Sequence, residues 1–279
     1  ICTGERAEYE ALFRLLDARE NGGRQVAVFL KPCDSYSFVQ LLKEHRIARE
    51  RVYAVGVPCE GMCDMEKIKA KGISGVTGIE EQGETLKLRT LYGEETLNRA
   101  DVLLEKCAVC KSKKIVCFDE LLGEQGEEQS SDRFAEVERL EAMSPEERFA
   151  FWRGELSRCI RCNACRNVCP ACSCEKCVFD NPESGVQNKA AADSFEENLF
   201  HIIRAFHVAS RCTDCGECSR VCPQHIPLHL LNRKFIKDIN ELYGEYQAGA
   251  DFDTKPPLMS FDKGDCEPSV VYERGGAAR

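Results

Sequence analysis

Residues 158–177 read RCIRCNACRNVCPACSCEKC and hold seven cysteines in twenty positions. The first four are spaced C-x2-C-x2-C-x3-C and are followed by Pro170. The same arrangement returns downstream as Cys212, Cys215, Cys218 and Cys222, followed by Pro223. Because so many thiols recur at one fixed spacing, the fold around them is expected to be built to bring them together.

This spacing is that of bacterial ferredoxins, where three thiolates two residues apart bind one 4Fe-4S cluster and the fourth binds the other cluster. We therefore predict two crossed ligand sets. The first-motif set is Cys159, Cys162, Cys165 and Cys222, and the second-motif set is Cys212, Cys215, Cys218 and Cys169. Two zinc sites are the alternative, but they would leave several thiolates and both prolines without a role.

The composition favours cluster ligation over disulfides. The chain has 279 residues and 19 cysteines, with 43% hydrophobic and 30% charged residues, and shows no apolar leader or membrane-spanning run. We therefore expect a cytoplasmic protein, in which cysteines stay reduced and bind metals. The net charge of -9 argues against a nucleic-acid partner, because phosphate binding requires a basic face.

Helices are predicted to lead into both motifs. Capping boxes at Ser144 to Glu147, with Pro145 at the first helical position, and at Ser194 to Glu197 mark their starts. The apolar residues that follow recur at helical spacing: Phe149, Trp152 and Leu156 in the first, and Phe195, Leu199, Ile202 and Phe206 in the second, which should reach Ser210.

The segment from about Ser144 to Leu231 resembles the α-helical ferredoxin domain of heterodisulfide reductase C-type subunits and of the succinate dehydrogenase iron–sulfur subunit. Cys172, Cys174 and Cys177, here the Cys172 group, are surplus to that pattern. Their C-P-x-C-x-C run is similar to one in the β subunits of sulfhydrogenases and anaerobic sulfite reductases. They are either three ligands of a further cluster or ordinary thiols beside one, and no fourth ligand is evident from the spacing.

The chain before these motifs predicts an α/β domain. After an amphipathic helix over 5–20, the stretches QVAVFL (25–30) and RVYAVGV (51–57) are predicted to be buried strands. A helix capped by Asp34 separates them, and this βαβ order makes the strands parallel. Each strand leads to a Pro-Cys pair, at Cys33 and Cys59, and parallel strands end at one edge of a sheet. Cys107 and Cys110 complete a possible set of four thiolates.

KPCDSYSFVQLL, GVPCEGMCDM and KCAVCKSKKIVCFDELLG, within about Val26 to Gly123, are similar to the C-terminal domain of the β subunit of coenzyme-F420-reducing hydrogenases and dehydrogenases. The resemblance implies a flavin-linked iron–sulfur protein whose third 4Fe-4S cluster is held by a strand-edge set of Cys33, Cys59, Cys107 and Cys110. Cys63 is a competing ligand, and small core residues are the alternative role for these cysteines. No G-x-G-x-x-G opens the βαβ unit, which argues against FAD.

These patterns predict an α+β protein of two domains. The N-terminal α/β iron–sulfur domain covers 1–123, a linker and helix cover 124–143, the α-helical dicluster ferredoxin domain covers 144–246, and an extended tail covers 247–279. The tail is rich in Gly, Pro, Asp and Ser, so we expect its spaced aromatic residues to be ordered by a partner.

The predicted function is an iron–sulfur electron-transfer subunit of a cytoplasmic oxidoreductase complex. It would relay electrons between a flavin or hydride-accepting module and a heterodisulfide-reductase-like module. Its expected partners are other redox subunits: a flavoprotein, or heterodisulfide-reductase-like, hydrogenase or dehydrogenase subunits. The alternative is an FAD-containing enzyme subunit that itself exchanges electrons with F420, NAD(P)H or a similar carrier.

Overall fold

A computed structural model describes residues 25–129, 131–181, 183, 194–260 and 263. The strands are β1 (Val26–Leu30), β2 (Val52–Gly56), β3 (Val76–Gln82), β4 (Thr85–Thr90), β5 (Gly93–Asn98) and β6 (Glu120–Leu121). The helices are α1 (Pro32–Lys43), α2 (Met65–Ala70), α3 (Glu105–Ala108), α4 (Ala135–Glu141), α5 (Pro145–Leu156), α6 (Ala164–Asn167), α7 (Ser194–Val208), α8 (Glu217–Arg220) and α9 (Leu228–Tyr243). The helix predicted over 5–20 and the side chains of the Ser194–Glu197 capping box lie outside the described residues.

The predicted parallel βαβ unit is confirmed. β1 and β2 pair in parallel, with Val26 opposite Val52, and β6 extends the sheet on the far side of β2. Helix α1 packs its Phe38 and Leu41 against the sheet residues Val28 and Ala54 in one core cluster. The carboxyl ends of β1 and β2 are therefore held at one edge.

Helix α1 begins earlier than the sequence predicts. Asp34 does not cap it but is its third residue, because Pro32, whose fixed φ suits a first helical turn, starts the helix directly after Lys31. The Asp34 carboxylate accepts a hydrogen bond from the Lys31 backbone N–H at 3.2 Å and pairs with the Lys31 ammonium at 2.7 Å. Cys33 is consequently placed in the first turn of the helix.

The N-terminal half also contains an antiparallel sheet, so the prediction of parallel strands alone was incomplete. β3, β4 and β5 form a meander, with Leu86 opposite Leu97. Leu86 and Leu88 are buried against Ile68 of α2. The alternation in TLKLRT and the glycine between β3 and β4, Gly83 at φ 61°, are typical hairpin signals that the sequence does contain.

The regular elements of the described residues 131–260 are all helices, and the first capping box is confirmed. The Ser144 hydroxyl accepts from the Glu147 N–H at 3.2 Å, and the Glu147 carboxylate accepts from the Ser144 N–H at 2.9 Å. Leu156 at the end of α5 is buried, whereas Phe149 is exposed. α5 therefore packs through its C-terminal end, beside the first cysteine motif.

Helix α7 buries a different face from the one its apolar spacing predicts, and it ends at Val208 instead of Ser210. Ile202 and Phe206 are exposed, at 44% and 60%, while Phe200, His201 and Arg204 are buried. Apolar periodicity predicts the buried face only when the core is apolar. Here the neighbouring core is lined by cysteines, and polar side chains face it.

Two segments predicted to connect or trail the domains pack against the N-terminal half. Residues 122–129 lie along residues 111–115, where the Lys113 N–H donates to the Glu127 carbonyl at 2.8 Å. Ala248 is buried, and the Lys43 ammonium donates to the Thr254 carbonyl at 2.6 Å. Phe252 is half exposed, and Phe261 and Tyr272 lie outside the described residues. No helix in the described part of the chain is long and apolar enough to cross a membrane.

Candidate iron–sulfur sites

Both ferredoxin-like motifs fold through the same backbone pattern. In the first, Arg161 and Asn163 have φ of 52° and 62°, and in the second, Asp214 and Gly216 have φ of 56° and 71°. A left-handed backbone conformation costs a non-glycine residue about 1–2 kcal/mol. Two such residues close together are therefore typical of a functional site. The alternation lies between the three closely spaced cysteines of each motif and ends in the short helices α6 and α8. It repeats at matching positions, so both motifs take one shape.

The first-motif set surrounds one cavity. Its wall contains Cys159, Cys162, Cys165 and Cys222, so the cysteine from the second motif lies with the three from the first. The Arg161 N–H donates to the Cys159 sulfur at 3.4 Å. Around this cavity, Leu156, Ile226 and Leu228 form an apolar shell. The donor set is chemically suited to a 4Fe-4S cluster, since four thiolates are its usual ligands.

The second-motif set is a buried group of thiols that influence one another. Burial raises the pKa of Cys215 to about 11 and that of Cys218 to about 12, and in both cases the nearby Cys169 thiolate raises it further. Burial likewise raises the pKa of Cys212, with Cys215 and Cys169 again contributing. Such thiols are protonated when no metal is bound, so ligation would release their protons.

The strand-edge set also surrounds one cavity, which Cys33, Cys59, Cys107 and Cys110 line together with Cys215 of the second motif. Backbone N–H groups point at its sulfurs, from Gly61 to Cys59 at 3.4 Å and from Met62 to Cys107 at 3.3 Å. Cys63 does not line this cavity but packs beside Ile68 and Leu86 in the core of the antiparallel sheet.

Three lysines line the strand-edge cavity. Lys106, Lys111 and Lys113 belong to its wall. Burial lowers the pKa of Lys111 to about 8, and its ammonium lies 4.2 Å from the centre of the Tyr36 ring. Clusters bound by four thiolates are anionic, so these ammonium groups supply the opposite charge. The signal in the sequence is the run KCAVCKSKK, in which lysines flank both cysteines.

The loop between Cys212 and Cys218 is the junction of the two halves. The Thr213 hydroxyl bonds the Ser37 hydroxyl at 3.0 Å, and the Asp214 carboxylate pairs with Arg133 at 3.1 Å and with Arg233 at 2.9 Å.

Gly216, at the end of this loop, and Glu217, the first residue of α8, both lie against Lys106. A Cβ on Gly216 would stand 2.6 Å from the Lys106 Cβ, so this glycine permits α3 and α8 to touch. Glu217 forms a buried ion pair with the Lys106 ammonium. The second motif therefore contacts the wall of the strand-edge cavity directly.

The Cys172 group lines a third cavity. Cys172, Cys174 and Cys177 share its wall with three arginines: Arg166, Arg204 and Arg211. Cys169 of the second-motif set is hydrogen-bonded to Cys172, which contributes to the raised pKa of Cys169. The first-motif set, the strand-edge set and the Cys172 group each line a cavity, and among the described residues no three His, Cys, Asp or Glu side chains are grouped to hold a single metal ion.

Arg204 tests whether the chain fits anionic clusters. Its side chain is buried at 3% exposure, Nη2 donates to the Cys165 carbonyl at 2.9 Å, and Nε has no partner among the described residues. Burial opposes its charge, yet the thiolates of Cys169 and Cys165 raise its pKa well above the usual value. A buried guanidinium needs a negative partner, and clusters between these cysteines would supply one. Sequence reasoning missed this residue because it treated α7 as an apolar helix.

Comparison with known proteins bears on this arrangement. Residues 155–226 match the family model described as a 4Fe-4S dicluster domain. This segment is therefore similar to a 4Fe-4S dicluster domain. This domain spans both cysteine motifs, the Cys172 group and all of α7, so the helix that carries Arg204 lies within it.

The likeness extends beyond the dicluster domain. The chain is 24% identical over 309 aligned residues to the F420-dependent formate dehydrogenase subunit beta of Methanocaldococcus jannaschii, which covers 90% of this chain and 80% of that protein. It is 25% identical over 301 aligned residues to the F420-dependent formate dehydrogenase 1 subunit beta of Methanococcus maripaludis, covering 84% and 75%. The resemblance stated from sequence is confirmed: a β-subunit-like segment is joined to a dicluster domain, as in an iron–sulfur electron-transfer subunit of an oxidoreductase.

Proposed function

We propose that this chain relays single electrons through a row of 4Fe-4S clusters inside a multi-subunit oxidoreductase. One end of the row faces a flavin or hydride-accepting module, and the other faces a heterodisulfide-reductase-like module. The observation that carries the proposal is that Cys215, a member of the second-motif set, also lines the cavity of the strand-edge set. Neighbouring clusters with a shared wall are what stepwise electron transfer requires.

The proposed order of the relay follows from which sets touch. The strand-edge set meets the second-motif set at Cys215, and the second-motif set meets the first-motif set where Cys218, Cys165 and Cys222 share one core cluster. The strand-edge and first-motif clusters are thus the two ends of the row. In this proposal the Cys172 group holds a fourth cluster beside the second-motif set, on the side of Cys169.

The names of the relatives support a proposal about partners. Both are β subunits of F420-dependent formate dehydrogenases. We infer that the partners of this chain are other subunits of a dehydrogenase-type complex, and that a two-electron carrier of the F420 class exchanges electrons at one end of the relay. The aromatic residue Phe252, half exposed on the described part of the tail, is a candidate contact for such a subunit.

Metal analysis of anaerobically purified protein tests the cluster count. We expect iron and acid-labile sulfide for four 4Fe-4S clusters per chain. Iron for three, unchanged when Cys172, Cys174 and Cys177 are all replaced by Ser, would remove the fourth cluster and leave the relay intact. Zinc in place of iron would overturn the proposal as a whole.

The crossing of the two motifs is tested by Cys222→Ser. This change should damage the cluster of the first-motif set, seen as loss of its paramagnetic resonance signal, while the other signals persist. Cys63→Ser is the matched control and should leave every signal unchanged, since Cys63 lies outside the strand-edge cavity. Loss of only the second-motif signal in Cys222→Ser would show that each motif binds its cluster locally.

The flavin content of the isolated chain distinguishes the relay proposal from the flavoenzyme alternative. The relay proposal expects the isolated chain to contain no stoichiometric FAD and to oxidise reduced F420 only when its partner subunits are present. A flavin-containing monomer that turns over F420 or NAD(P)H alone would replace the relay with an enzyme.

A further inference from the structure

His201 is a buried polar residue that neither the fold nor the ligand sets explain. It lies on the inner face of α7 at 2% exposure, and neither ring nitrogen has a hydrogen-bond partner among the described residues. The imidazole belongs to the wall of the cavity lined by the first-motif set. An unsatisfied buried polar group costs about 1–3 kcal/mol, so a partner from the contents of that cavity is expected.

The imidazole carries an N–H donor in either protonation state. Burial lowers the pKa of His201 to about 3, and the neighbouring guanidiniums of Arg204 and Arg161 lower it further. A neutral imidazole carries one N–H donor and one acceptor nitrogen. Its ring is fixed edge-on against Phe200, with centroids 5.0 Å apart and an interplanar angle of 82°. At 2% exposure, neither ring nitrogen is open to bulk water.

The groups around the cavity narrow the choice of acceptor. Four thiols dominate the wall, and as cluster ligands they would be thiolates, which accept hydrogen bonds. The Oδ1 of Asn163 also lines this cavity and also has no partner among the described residues. It is the competing acceptor, although the His201 N–H does not reach it in this structure.

We propose that His201 donates its N–H to a sulfur atom of the cluster held by Cys159, Cys162, Cys165 and Cys222, and thereby raises that cluster's reduction potential. A hydrogen bond to sulfur withdraws negative charge and stabilises the reduced, more anionic state. The inference rests on the proposed function, because it needs a cluster in this set. It makes His201 a positioning and tuning residue and not a ligand.

The decisive measurement leaves His201 itself unchanged. Protein grown with 15N-labelled histidine is reduced under anaerobic conditions, and pulsed electron paramagnetic resonance is recorded on the first-motif signal, defined as the signal that Cys222→Ser removes. We expect one weakly coupled 15N nucleus. A strong coupling, typical of direct ligation, would overturn the proposal, and so would the absence of coupling, the result expected if His201 bonds Asn163.

The potential supplies the second readout. His201→Leu should lower the midpoint potential of the first-motif cluster by at least about 59 mV, which is a tenfold change in a one-electron reduction equilibrium. His201→Gln, which keeps an N–H donor, should restore much of the shift. His207→Leu changes an exposed histidine on the same helix that does not line the first-motif cavity, and it should leave the potential of this cluster unchanged. An unchanged potential in His201→Leu would overturn the proposal.

Failure of the proposed function would look different from failure of this inference. If the first-motif set holds no cluster, Cys222→Ser removes no signal and the iron content falls short for every variant. If the cluster is present and only the hydrogen bond is wrong, the iron content and signals are intact and only the 15N coupling and the potential shift are missing.

Discussion

At the scale of single residues, backbone conformation decides how the cysteines are presented. The duplicated motifs place left-handed residues at matching positions, and only one of the four, Gly216, is a glycine. The other three, Arg161, Asn163 and Asp214, adopt a conformation that L-residues disfavour. The Asp214 carboxylate is fixed by two arginines.

Gly216→Ala should destabilise the protein by about 2–4 kcal/mol. An alanine at φ 71° would be strained, because side-chain-bearing residues disfavour this conformation. Its Cβ would also lie 2.6 Å from the Lys106 Cβ, and this clash would push α3 and α8 apart. The midpoint of thermal unfolding, measured anaerobically, should fall. Gly154→Ala is the matched control, because a Cβ there meets nothing within 4 Å on helix α5, and it should stabilise the helix by about 0.5–1 kcal/mol. Equal midpoints for the two variants would contradict the close contact.

Arg204→Met should accelerate the loss of iron to a chelator several-fold, since it removes the buried positive charge beside Cys165 and Cys169. Arg204→Lys should recover part of the wild-type rate. Arg139→Met removes an exposed arginine paired with Glu136 and should leave iron release unchanged. The measurement is the time course of chelator absorbance, and the same rate in all variants would remove Arg204 from the account of the cluster sites.

At the scale of elements, two short helices from different halves meet at a buried charge pair. Lys106 of α3 and Glu217 of α8 have side chains 9% and 6% exposed, and Glu217 also accepts from Arg220 at 2.6 Å. Because α3 carries Cys107 and α8 carries Cys218, this contact holds one candidate cluster site against another. In the proposed relay, breaking the contact would separate two neighbouring clusters.

The pair predicts a non-additive double-mutant cycle. Lys106→Met alone should cost about 3–5 kcal/mol, because it leaves the Glu217 carboxylate buried with less positive charge around it, and Glu217→Gln should cost a similar amount. The double variant should be more stable than the sum of the single effects predicts. Denaturant unfolding of the three variants measures the coupling, and an additive cycle would mean that the two side chains do not interact.

The sequence predicted those elements whose periodicity or spacing has a single interpretation. The parallel β1 and β2, the capped start of α5 and the meeting of Cys222 with the first motif follow from local rules. The buried face of α7 did not, because spacing marks Ile202 and Phe206 as a core stripe while tertiary contacts bury His201 and Arg204. The junction at Lys106 was also beyond local rules, since it joins residues far apart in the chain.

At the scale of the whole molecule, the two halves are tied at more than the cysteine motifs. Glu44 at the end of α1 pairs with Arg211, next to Cys212, at 2.5 Å, and it also accepts from Ser173 beside the Cys172 group at 3.0 Å. On the other side, Gly249, at φ 74°, packs against the Tyr36 carbonyl of α1. The N-terminal half is thus held between the dicluster domain and the chain that follows it.

Two truncated chains test which part of the C-terminal segment stabilises the fold. A chain ending at Ser260 should keep its clusters and its thermal midpoint, whereas one ending at Gly244 should lose several degrees of midpoint because Tyr246 and Ala248 are buried and Gly249 contacts α1. Anaerobic thermal unfolding and iron content measure both. Equal stability of the two truncations would show that residues 245–260 add nothing to the fold.

The crossing of the motifs also bears on how the protein is made. A ribosome adds roughly 5–20 residues each second, and domains tend to fold in the order in which they emerge. If Cys222 completes the first-motif set, the cysteines of residues 159–165 remain without their fourth partner until Cys222 has been synthesised. The strand-edge cavity has its own four cysteines earlier but gains its last wall only with Cys215. The machinery that delivers clusters would then have to act on a chain that already extends through both motifs.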